Sequence, residues 1–97
     1  PDAIFLPPDA PALENTEAIR DYYLKLFADP LFALDCEQLE VSVARSGESA
    51  WSRGKCHATF TGEDGSAANA ASKWTKVWEK QTNGEWRNRL NTWNMDP

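Results

Sequence analysis

No apolar run in these 97 residues approaches the roughly 20 that a membrane-spanning helix needs, so no stretch of this sequence crosses a bilayer in that way. Basic residues are in deficit. Ten Lys and Arg against fifteen Asp and Glu leave a net charge of −5, which argues against nucleic acid or an anionic membrane as partner. Cysteine is scarce too. Cys36 and Cys56 match no metal-ligand spacing and set up no disulfide framework, so two buried thiols are expected and a cytoplasmic setting is favoured. The acidic run Glu63-Asp64-Gly65 is a turn, far too short for a calcium loop. Neither a metal nor another cofactor is implied, and there is no internal repeat or low-complexity tract.

What is present belongs to a globular chain. Aromatic residues make up 11%, with five Trp, and charged residues 26%. The length suits one domain over residues 1–97, large enough for a core but near the lower end of comfort. It begins on Pro1 rather than Met, which leaves an upstream segment or trimmed leader open.

Ala3–Leu6 reads as a short strand, stopped by Pro7 and Pro8, which cannot donate to a ladder. Asn15 or Thr16 caps a helix, with acidic Glu17 at its positive end. Ala18, Ile19, Tyr22, Tyr23, Leu26 and Phe27 recur at helical spacing until Asp29-Pro30. From Leu34 the period changes to two. The spacing predicts strands over 34–44, 50–61, 67–81 and 85–94, separated by turns at 45–48, 62–65 and Asn83-Gly84. Strands of about 14 residues reach about 46 Å, so the sheet must twist and curl. One helix of about 20 Å cannot cover a five-strand sheet about 24 Å wide. Further helices or a second subunit are expected to cover the rest.

Three stretches carry a family resemblance: Phe5-Leu-Pro-Pro8, Thr16-Glu-Ala-Ile19, and Val77-Trp78 through Asn83-Gly84-Glu-Trp86 to Trp93-Asn94. With their order, they resemble the SnoaL-like, ketosteroid-isomerase-like group of the nuclear-transport-factor-2-like superfamily. The resemblance covers essentially the whole chain. It implies an α+β cone, a curved antiparallel sheet packed on helix, here expected without the family's usual N-terminal helices, which opens one side. It is specific for fold and nearly silent on chemistry, because the superfamily hosts many activities.

The resemblance also places the isomerase machinery, and this sequence departs from it. The general-base Asp would stand near Pro7 or Pro8, and the second acid near Trp74. Proline neither takes a proton nor donates a hydrogen bond. The His and Asp pattern of a dehydratase is absent as well. Steroid-isomerase chemistry of the familiar kind is not expected.

By the same resemblance the concave face takes Trp51, Arg53, Lys55 and His57 from one strand, Trp74, Lys76 and Trp78 from the next, and Arg89, Asn91 and Trp93 from the last. A two-residue turn at Asn83-Gly84 pairs Trp74 with Trp93, Lys76 with Asn91 and Trp78 with Arg89, on one face. The kinase association domain in the superfamily carries basic residues at positions resembling Arg53 and Lys76. The pattern alone leaves the opposite choice open, with Ser52, Gly54, Cys56, Ala58 and Phe60 packed and the charged set solvated. Tyr22 and Tyr23 read as helix packing, with the Tyr23 hydroxyl able to turn inward. Asp9, Glu14 and Glu17 read as loop and cap residues.

The expected function is binding of a small, partly apolar, anionic molecule by Arg53, His57, Trp74, Lys76, Trp78, Asn91, Trp93 and Tyr23. A lyase or isomerase using His57 with Arg53 or Lys76 is the first alternative. An assembly module with a vestigial cavity is the second. A homodimer is expected through the outer sheet face at Ala58, Val77 and Leu90.

Overall fold

A computed structural model describes residues 3–97. Its elements run β1 (Ile4–Leu6), α1 (Thr16–Phe27), β2 (Ala33–Val43), β3 (Ser49–Thr61), β4 (Ala67–Lys80) and β5 (Trp86–Met95). The five strands form one sheet in the order β1-β5-β4-β3-β2. β1 runs parallel to β5 and every other neighbour is antiparallel, so the sheet is mixed rather than wholly antiparallel. It is an α+β cone, curved and unclosed, with α1 against its inner face.

Local chemistry explains the boundaries. Buried Pro7 ends β1, and the loop beyond it turns back so that Phe5 and Leu13 exchange both backbone hydrogen bonds, at 2.9 and 2.8 Å. That covers part of an edge that would otherwise be open. Asn15 caps α1 by accepting from the Ala18 amide at 2.8 Å. At the far end Asp29 accepts from the Leu31 amide at 2.9 Å and the Thr61 amide at 2.7 Å, tying the helix exit to the end of β3.

The core is small. Phe5, 2% exposed, packs on Tyr22 and Tyr23 at ring-centroid distances of 5.2 and 5.5 Å. α1 buries no residue completely. The radius of gyration is 15.1 Å, larger than the roughly 12.5 Å of a compact chain this long. The excess reflects long strands with one face uncovered. Val77, Leu90 and Ile4 lie in one cross-strand row with Trp51 on that outer face.

Cys36 and Cys56 are not free thiols. They stand opposite each other on β2 and β3 and form a disulfide. The expectation failed because the residues lie 20 positions apart in sequence, and only strand pairing brings them together.

Candidate functional site

β4 and β5 build the floor of a cavity of about 480 Å3 between the sheet and α1. Trp74 faces Trp93 and Lys76 faces Asn91 across the strand pair, and all four line the cavity. Tyr22, Tyr23 and Leu26 of α1 close the opposite side, and the disulfide forms part of the wall. The lining is mainly apolar, with polar groups at few points, as small-molecule cavities generally are.

The pairing on this floor arises from two irregularities that cancel. The β4–β5 turn has three residues, not two: Gln81 accepts from Gly84 at 2.9 Å, and the Gln81 amide donates to Glu85 at 2.7 Å. Gly84, at φ 87°, takes the left-handed position that closes such a loop. The extra residue shifts the register, so Trp78 pairs with Asn88 instead of Arg89. A bulge between Val77 and Trp78 then restores it for the cavity floor. Arg89 stands outside the cavity, 3.7 Å from Glu79.

The ammonium of Lys76 lies 4.7 Å from the Trp74 ring centroid and 5.9 Å from that of Trp78. It has no ion-pair partner among the described residues. An ammonium over an indole face is attracted by the ring quadrupole. Trp78 is not part of the cavity surface. Its indole N–H donates to Ser52 Oγ at 2.9 Å, which satisfies a fully buried hydroxyl. Trp74 Nε1 and Asn91 Oδ1 are buried without a hydrogen-bond partner, a costly state in a folded protein.

Near the end of β1, the Tyr22 hydroxyl donates to Asp9 Oδ1 at 2.8 Å. Burial, and then the Asp9 contact, push the Tyr22 phenol well above its usual range, while a hydrogen bond from Trp93 works against that rise. Burial raises Tyr23 as well. Tyr22 therefore stays neutral and acts as a donor. Asp29 also lines the cavity, but its oxygens are engaged by Thr61 and Leu31. Those hydrogen bonds hold its carboxyl below the usual range.

The structure divides the sequence-predicted site in two. Trp74, Lys76, Asn91, Trp93 and Tyr23 surround the cavity. Trp51, Arg53, Lys55 and His57 do not: β3 turns its other face inward, and Gly54, Cys56, Ala58 and Phe60 take the inner side. Arg53 instead donates to Glu40 at 2.8 Å, and Lys55 lies 3.7 Å from Glu37.

The reason is steric as well as electrostatic. Trp74 lies across Gly54, where an added Cβ would collide with the indole and with the Glu37 carbonyl. Small residues on β3 make room for large ones on β4, and acids on β2 match bases on β3 along the outer face. Ala58 consequently lines the cavity and is not part of the outer face. The alternation of β3 separated the two sets, small or apolar at even positions and basic at odd ones through 52–57, without saying which set is covered. Asp9 carried no signal, because it sits in a loop.

Among the described residues, no group of three or more His, Cys, Asp or Glu could hold a metal ion. No described helix is long and apolar enough to cross a membrane.

No protein-family model matches the sequence, and no curated protein does either. Solved structures do. A ketosteroid isomerase-like protein from Erwinia carotovora atroseptica matches at TM-score 0.83 and 24% identity, over 99% of this chain and 75% of its own. A nuclear transport factor 2-like superfamily protein from Salmonella enterica matches at TM-score 0.74 and 17% identity, over 100% of this chain and 70% of its own. A hexachlorocyclohexane dehydrochlorinase, LinA-type3, from Novosphingobium barchaimii matches at TM-score 0.77 and 13% identity, over 99% of this chain and 66% of its own. The chain has the ketosteroid-isomerase-like, nuclear-transport-factor-2-like fold.

Proposed function

We propose that this domain binds a small, partly apolar carboxylate in the cavity between α1 and the sheet. The observation that carries the reading is Lys76, a lysine held over two indole faces with no acidic partner among the described residues. An ammonium so placed offers an anion a charge-assisted hydrogen bond, and the aromatic walls take the apolar body. Lys76 alone takes the part that sequence reasoning shared between Arg53 and Lys76.

The test is a thermal-shift and calorimetric screen of small aromatic carboxylates against the wild type and Lys76→Gln. Stabilisation by at least one of them, lost in the variant, is the expected result. Indifference of both proteins to every carboxylate tried would overturn the reading.

A second reading is a lyase or isomerase. His57 and Arg53 stand on the outer face and cannot serve it, so the acid-base group available is Asp9, hydrogen-bonded to Tyr22 at the cavity. The dehydrochlorinase among the structural neighbours is consistent with that chemistry at the level of fold alone. Turnover of a carbonyl or halide substrate, abolished in Asp9→Asn, would favour it.

The assembly reading relies on the outer row of Ile4, Leu90, Val77 and Trp51. The charges beside it are already matched within the chain, which leaves a second copy unopposed. Sedimentation should then give a dimer that Trp51→Asp dissociates.

A further inference from the structure

The polar groups around the cavity differ in kind between its two ends. Around Lys76 they favour an anion. An ammonium is present there with no ion-pair partner among the described residues. Near the end of β1 they favour a donor. There the Tyr22 hydroxyl donates to Asp9, a carboxylate, which can only accept. Because Tyr22 donates to one Asp9 oxygen, it orients the carboxylate without exhausting its acceptor capacity.

Strand geometry relates the two ends. Lys76 pairs with Asn91 of β5, and β1, parallel to β5, ends at Leu6 opposite Thr92, so the loop that carries Asp9 leaves β1 on the Trp93 side of Asn91. The wall between is aromatic and aliphatic.

We infer that the cavity selects aryl carboxylates bearing a hydroxyl or amino donor at the end remote from the carboxylate, with Lys76 receiving the acid and Asp9, oriented by Tyr22, receiving the donor. This rests on the anion-binding reading above and adds to it a specificity-determining role for Asp9. A loop-anchoring role alone would tie Asp9 to Tyr22 without any preference among ligands.

The test compares 4-hydroxycinnamate with cinnamate by isothermal titration calorimetry, on the wild type, Asp9→Ala and Lys76→Gln. The hydroxylated acid should bind the wild type about tenfold more tightly, the scale of one hydrogen bond to a charged acceptor. In Asp9→Ala that preference should vanish, and a preference for the hydroxylated acid retained there would overturn the inference. Circular dichroism of the variant checks its fold, and the preference within the wild type stands as a separate measurement. Equal affinity of the wild type for both acids, with both lost in Lys76→Gln, would overturn the inference and leave the anion site standing. Failure of either acid to bind the wild type would overturn both.

Discussion

Trp74 packs against Gly54 of the neighbouring strand, so that the indole occupies the space a side chain at position 54 would need. This contact sets the cavity floor, because the same ring flanks the Lys76 ammonium at 4.7 Å. A methyl group at position 54 meets both the ring and the Glu37 carbonyl, and neither can withdraw without disturbing a strand. Gly54→Ala should destabilise the domain by roughly 2–3 kcal/mol, the usual scale of overpacking. Urea titration followed by tryptophan fluorescence checks it, with an altered native emission spectrum expected as the ring is displaced.

The disulfide joins β2, an edge strand whose eleven residues are all exposed, to the rest of the sheet. Closing its loop, with the cysteines 20 positions apart, is worth about 3 kcal/mol by chain entropy. Reduction, or the Cys36→Ser/Cys56→Ser pair, should lower the urea midpoint correspondingly. Thiol titration of the native protein should find no free cysteine, the state expected in an oxidising compartment.

Arg53 and His57 face away from the cavity, and the Arg53–Glu40 pair is about half exposed on both sides. Exposed pairs of this kind contribute about 0–1 kcal/mol. Arg53→Ala and His57→Ala should therefore leave carboxylate binding unchanged and cost little stability. Loss of binding in either would return β3 to the orientation first expected from the sequence.

Asp29 accepts hydrogen bonds from Thr61 and Leu31, which hold its carboxyl below the ordinary value of 3.8. A carboxyl depressed in the folded state contributes stability that is fully present above its unfolded pKa and disappears as pH falls through the folded one. The loss should therefore begin near pH 4 and grow below it. Asp29→Asn should flatten that part of the acid-stability profile, measured as thermal midpoints between pH 6 and pH 2.5, while remaining folded at neutral pH.

The element order, the approximate strand limits and a helix cap at Asn15 or Thr16 were legible in the sequence, and the structure assigns the cap to Asn15. They depend on signals acting over a few residues: Pro7-Pro8, the helical spacing from Ala18 to Phe27, and the two-residue period from Leu34 onward. The Trp74–Trp93 pairing was also legible, though for an incomplete reason. A two-residue turn predicts it, whereas the chain reaches it through a three-residue turn and a compensating bulge.

Tertiary structure alone decided which face of β3 turns inward, that Cys36 meets Cys56, and that Asp9 reaches Tyr22. Alternation defines two faces but does not say which is covered. That choice came from the bulk of Trp74, which only Gly54 accommodates, and from acids on β2 lying opposite bases on β3. Of the several bases expected on the sheet floor of the cavity, Lys76 remains, while Lys25 enters the lining from α1.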